Sequence, residues 1–255
     1  MVNGIENFKE WFSGYENQYV IIGGTACDLL MHDEGLDFRA TKDIDIVLII
    51  ESLTAEFCSR FWEYVKTAGY EHINKSTGKP QFYRFSNPSS DEYPKMIELF
   101  ARKPESLILP EDVNVLHFSS TEEISSLSAI LLNDSYYEFL KTGIMLTTEG
   151  LPVLKPSHLI PFKIKAWLDL SEAKAAGQQI DSRDIKKHKN DVFRLSVLLA
   201  EDIKVNISEA VKNDIEEFIL RVSQEPSNLR SLGFKIDLND LLKILSNIYL
   251  SRSTP

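Results

Sequence analysis

Residues 19 to 51 constrain the fold of this chain more than any other stretch. Tyr19 to Ile22 is a short β-branched apolar run that ends on Gly23-Gly24, and residues 25 to 32 then place Ala26, Leu29 and Leu30 at helical spacing. The pattern predicts a strand passing through a tight turn into a helix. Two glycines in such a turn allow positive φ and a close approach of the backbone to an anion. The helix N-terminus adds a favourable dipole, and Thr25 supplies a hydroxyl near the helix start. The turn suits a phosphate, although glycine is also the default residue in an ordinary strand-to-helix connection.

The second half of the stretch sharpens that reading. After the turn-like Asp33-Glu34-Gly35, the run Asp43-Ile44-Asp45-Ile46-Val47-Leu48-Ile49-Ile50 is strongly β-prone and opens on two acids. Side chains two apart on a strand share a face, with Cα atoms roughly 6.5 Å apart, so Asp43 and Asp45 point one way and Ile44 and Ile46 the other. Two like charges at the mouth of a buried strand repel unless something neutralises them, and a hard divalent cation such as Mg²⁺ does so through carboxylate oxygens and substrate phosphates. The alternative is that both acids solvate the end of an exposed strand, but residues 47 to 50 read as buried on both faces. A third acid, Glu98, sits inside Met96-Ile97-Glu98-Leu99-Phe100. An acid enclosed by apolar residues is costly unless paired or metal-bound, or unless it lies exposed on an edge strand.

Gly23-Gly24-Thr25 followed by Arg39-Ala40-Thr41-Lys42-Asp43-Ile44-Asp45 resembles the nucleotidyltransferase superfamily of polymerase-β-like fold. The fuller form, Arg-x-Thr-x-Asp-x-Asp, looks most like the AbiEii-type nucleotidyltransferase toxin group. The resemblance implies that Asp43, Asp45 and Glu98 are catalytic carboxylates holding one or two Mg²⁺ ions against a nucleoside triphosphate substrate, with Glu98 standing where the superfamily more often has Asp. It implies nucleotide contacts from Gly23, Gly24, Thr25 and Arg39. Further along, Lys163-Ile164-Lys165-Ala166 is similar to the group's Lys-hydrophobic-x-Ala helix, and Lys187-His188-Lys189-Asn190-Asp191 to its Lys-Asp-x-x-Asp element, with His188 replacing the usual Asp. Lys163, Lys187 and Asp191 are thereby implied as nucleotide-binding, with Lys163 facing the carboxylates across an interdomain cleft. The implied reaction is transfer of a nucleoside monophosphate to an acceptor hydroxyl. In the toxin-like form the acceptor is RNA and an antitoxin-like protein is a partner. A small-molecule transferase of the antibiotic-modifying kind, or a nucleotide-binding protein of the same fold without turnover, are the other readings.

Composition narrows the remaining classes. The 255 residues suffice for one large or two modest domains. No run of about 18 apolar residues and no basic-apolar leader pattern occurs, so a cytoplasmic protein without membrane spans is expected. Cys27 and Cys58 form no Cys-x-x-Cys pair and the five histidines lack zinc spacing, which predicts reduced, buried thiols. A formal charge of −10 argues against broad nonspecific affinity for nucleic acid.

The fold expected is α+β: a mixed-sheet domain over 1–155, then a helical bundle over 156–255. The first part reads as a helix over 4–16, the strand–turn–helix above, a helix over 53–68 stopped by Gly69, a hairpin over 70–85 turning at 76–80, and the Glu98 strand. Short strands over 113–118 and 128–132, a short helix capped by Asp134 and running through Leu140, and a hairpin over 144–154 complete it. Ser76-Thr77-Gly78-Lys79 lacks the upstream glycine of a P-loop, and Pro80 prevents the helix a P-loop needs. The second part reads as helices over 158–176, with Ser157 as N-cap, and over 182–199, 208–223 and 238–250.

Overall fold

The computed structural model describes residues 2–71, 84–100, 133–200, 203–225, 229, 233–234 and 236–251. The expected strands over 113–118 and 128–132 and the turn over 76–80 lie outside these residues, as do His72 and His117. The described chain is α+β and forms two compact units. One holds the described residues up to Phe100 together with Ile144–Leu154; the other holds 133–143 and those from Lys155 onward.

The first unit is built on a mixed sheet of six strands among the described residues: β1 (Tyr19–Ile22), β2 (Asp43–Leu48), β3 (Arg84–Ser86), β4 (Met96–Phe100), β5 (Ile144–Leu146) and β6 (Pro152–Leu154), in the order β3-β4-β2-β1-β6-β5. β1 pairs antiparallel with β2 and parallel with β6, while β2 pairs parallel with β4 and β3 antiparallel with β4. All four β1 residues are buried, which suits its central place. Register puts Tyr19, Ile21, Ile44, Ile46, Phe85 and Ile97 on one face. That face is covered by aromatic side chains of α1 (Ile5–Trp11) and α3 (Ala55–Ala68), with Phe8 and Phe57 against Tyr19 and Phe61 and Trp62 against Phe85. Such ring contacts bury large apolar areas. Thr54 caps α3 by accepting from the Phe57 N–H, and Gly69 ends it in the left-handed region at φ 66°. The 144–154 hairpin forms as expected, with Gly150 at φ 88° in its turn. Helix α2 (Gly23–Asp33) follows β1 directly.

The second unit is helical: α4 (Asp134–Thr142), α5 (Pro156–Ala175), α6 (Ser182–Ser196), α7 (Glu209–Ser223) and α8 (Leu238–Tyr249). Residues 157–164 of α5 are buried without a break, because it is the central helix of the unit. Trp167 meets Phe218 of α7 edge-on at 5.2 Å, and the Tyr249 hydroxyl of α8 donates to the Ser157 carbonyl at 2.7 Å. Two caps differ from expectation. Asn133, not Asp134, caps α4 by accepting from the Ser135 N–H, and Lys155 takes the N-cap position of α5 because Pro156 fits the first turn, leaving Ser157 buried inside the helix. Cys27 and Cys58 are buried and not disulfide-bonded, and the Cys27 thiol donates to the Gly23 carbonyl at 3.1 Å. No described helix is long and apolar enough to cross a membrane.

His158 ties α4 to α5. Its ring stacks on Phe139 at 4.4 Å, with Thr142 Oγ1 3.2 Å from Nε2 and Ser157 Oγ 3.1 Å from Nδ1. Burial, with a smaller contribution from nearby Lys155, pushes its pKa down to about 4. The folded ring therefore stays neutral where the unfolded ring, titrating near 6.5, takes a proton. The unfolded state binds more protons between these values, so this stability is complete above about pH 6.5 and is lost as pH falls toward 4. We expect about 2 kcal/mol of loss at pH 5 relative to pH 7 from this group. Urea melts at both pH values check it: the His158→Gln protein should show a flatter pH dependence, and parallel slopes would refute the assignment.

Candidate active site

β1 passes into α2 without an intervening loop. Ile22 is extended and Gly23 is itself the first helical residue, at φ 70°, so the helix starts two residues earlier than the apolar spacing predicts. Asp45 is the register partner of Ile22 across the β1–β2 pair. Its carboxylate consequently lies against the N-terminus of α2: a Cβ on Gly23 would fall 1.7 Å from Asp45 Oδ2. Glycine is required at 23 both for the left-handed backbone and for the space the carboxylate occupies. Gly24 has a different reason. It needs no positive φ, but a Cβ there would stand 2.8 Å from Thr41 Oγ1 and 3.3 Å from Arg39 Nη2. Its bareness lets the Arg39 and Thr41 side chains lie over the first turn of α2. Arg39 is half-buried, its guanidinium carbon 5.0 Å from the Phe38 ring centroid. Thr25 is fully buried and its hydroxyl donates to the Asp43 carbonyl at 2.5 Å, so that hydroxyl fastens α2 to the start of β2.

These contacts make Gly23 the costlier glycine to replace. Gly23→Ala should destabilise the protein by about 2 kcal/mol or more, from the disfavoured φ and the displaced carboxylate. Gly24→Ala should cost less, because the neighbour is a rotatable hydroxyl. Denaturant midpoints of the two variants test the ranking, and equal midpoints would contradict it.

The three acids share one face of the sheet. Asp43 and Asp45 alternate with Ile44 and Ile46, which are buried on the opposite face, and Glu98 on β4 is the register partner of Asp45. β4 lies between β3 and β2, so Glu98 is on an interior strand, and its side chain is 13% exposed. Beyond it on β3 stands Arg84, the register partner of Glu98. Arg84 Nε donates to Glu98 Oε1 at 2.7 Å and its Nη2 is 2.6 Å from the same oxygen. Across the sheet the charges run Arg84, Glu98, Asp45. Among the described residues no three His, Cys, Asp or Glu side chains are gathered closely enough to hold a metal ion as they stand. Sequence reasoning missed Arg84. The available signal was a cation in the strand expected just before the Glu98 strand.

Of the residues implied in the helical unit, Lys163 and Asp191 come together. Lys163 Nζ donates to Asp191 Oδ2 at 3.1 Å, with side-chain exposures of 5% and 0%, and Arg194 Nη1 is 3.8 Å from the other Asp191 oxygen. Lys187, one helical turn before Asp191, is exposed. Lys165 is engaged elsewhere, at 2.6 Å from Asp169 and 3.9 Å from Asp214. Burial holds the Asp214 carboxyl above the usual carboxylate range, and Tyr136 donates to it at 2.8 Å.

No family model matches the chain, and no curated protein matches it. Among solved structures it is similar to the solution structure of the antibiotic-resistance factor ANT(2'')-Ia, with a TM-score of 0.38 and 13% identity over 86% of this chain and 91% of that one. A likeness this slight leaves the reading of the site to its own residues.

Proposed function

We propose that this chain is a Mg²⁺-dependent nucleotidyltransferase that moves a nucleoside monophosphate from a nucleoside triphosphate to an acceptor hydroxyl. The observation that carries the reading is the Asp45 carboxylate seated at the N-terminus of α2, with Asp43 on the same face and Glu98 in register beside it. Hard carboxylate oxygens suit Mg²⁺, so the donor chemistry fits, and Asp43, Asp45 and Glu98 are the residues that would hold it. Bound there, Mg²⁺ would supply Lewis-acid activation of the acceptor hydroxyl and charge neutralisation at the pyrophosphate leaving group.

The chain's own residues would do the rest. Gly23, Gly24 and Thr25 would present the main-chain N–H groups of the first α2 turn to phosphate oxygens, and Arg39 above that turn would add a guanidinium fork. In the helical unit, exposed Lys187 would offer positive charge to a polyanionic substrate, whereas the Lys163 ammonium is buried against Asp191, which neutralises it. The acceptor in this reading is RNA, and an antitoxin-like protein would be the natural restraint on such an activity. Incubation with each labelled triphosphate, Mg²⁺ and total RNA, alongside a panel of hydroxyl-rich antibiotics, tests it. Label in the polymer supports the RNA reading and label in a small product moves the acceptor class. Triphosphate binding without transfer would leave a nucleotide-binding protein.

A further inference from the structure

The charge row across the sheet carries an inference that rests on the proposed metal chemistry and extends to its control. Glu98 stands between a cation on one neighbouring strand and a carboxylate on the other, since Arg84 and Asp45 are its register partners on β3 and β2. Without a cation between the acids, Asp45 repels Glu98 while Arg84 attracts it, so both forces pull Glu98 toward β3. The two Arg84 distances, 2.6 and 2.7 Å to Oε1, show that pull satisfied. A charge-assisted contact of this kind is among the stronger side-chain interactions. Glu98 is nearly buried whereas Arg84 is 40% exposed, so the guanidinium can swing into water without being stranded, while the carboxylate stays in the sheet.

We propose that Arg84 is a latch on the third carboxylate. With the site empty of cation, Arg84 holds Glu98 on the β3 side. A divalent cation on Asp43 and Asp45 cancels their negative charge on the β2 side and offers Glu98 a ligand position, so that Glu98 turns from Arg84 to the cation as Arg84 moves into solvent. No bond is made or broken beyond this exchange of ligands. Arg84 is thus a positioning residue that weakens divalent binding at rest and couples three-carboxylate assembly to the arrival of the cation. A triphosphate is a second beneficiary, because the released guanidinium sits at the edge of the same face.

The test is titration of Mn²⁺ alone into the full chain, read by calorimetry and by the loss of free-Mn²⁺ resonance signal, with no turnover involved. Arg84→Met removes the charge and keeps the stem, and it should bind Mn²⁺ about two- to five-fold more tightly than the parent, as expected when a competing partly exposed ion pair is removed. Adding Glu98→Gln to Arg84→Met should abolish that gain. Arg84→Gln serves in its place should the Met protein fail to fold by circular dichroism. A Mn²⁺ site that depends on Asp45 but has equal or weaker affinity in the Arg84 variant overturns the latch alone. The absence of any Asp45-dependent Mn²⁺ site in parent and variant overturns the metal reading on which the latch rests.

Discussion

Asp45→Asn is expected to reduce nucleotidyl transfer by at least about 100-fold while the protein melts as the parent does. The magnitude follows from what a single preorganised electrostatic group contributes to a transition state, about 10²–10³ in rate, in a site where charge is the working element. The structural half of the expectation rests on shape. The carboxylate fills the space that the missing Cβ of Gly23 leaves at the start of α2, and an amide of the same outline fills it equally. Removing one of three acids on a shared face also relieves repulsion. Label transfer from the active triphosphate, measured beside a thermal melt, decides the matter. Parent-level transfer by Asp45→Asn would place the chemistry elsewhere, and a collapsed melt would make Asp45 a structural residue.

Lys163→Ala should be the most destabilising charge removal in the helical unit, at about 3–5 kcal/mol. From sequence, Lys163 reads as a substrate-facing lysine that would be dispensable for stability if it were accessible to solvent. The structure changes that, because its ammonium is buried against a fully buried carboxylate. Taking away one partner of such a pair leaves a desolvated charge, and Arg194, 3.8 Å from Asp191, offsets only part of the loss. Lys165→Ala is the control. Its pairs with Asp169 and Asp214 are partly exposed, with side chains 23–27% accessible, and should be worth about 1 kcal/mol or less. Chemical denaturation followed by far-ultraviolet circular dichroism separates them, and equal midpoints would show the Lys163–Asp191 pair to be energetically idle. Any nucleotide-binding defect in Lys163→Ala must therefore be corrected for the folded fraction.

The local part of this protein was legible in its sequence because it depends on periodicity. The alternation Asp43-Ile44-Asp45-Ile46 alone sets two acids on one face and two apolar residues on the other, and the observed burial follows it. The apolar run ending on two glycines announced the strand-to-helix passage, and the helical spacing of Phe57, Phe61, Trp62 and Val65 matches the buried face of α3. Register was not legible, since nothing along a single strand says which residue of a distant strand lies opposite. Pairing across the sheet decided that Glu98 stands beside Asp45, that Arg84 stands beyond Glu98, and that Gly23 rather than Gly24 makes room for a carboxylate. The same holds for Lys163 and Asp191, 28 residues apart on two helices. Short motifs name the groups that can carry charge, but which charge meets which is set by the packing that brings remote backbone segments together.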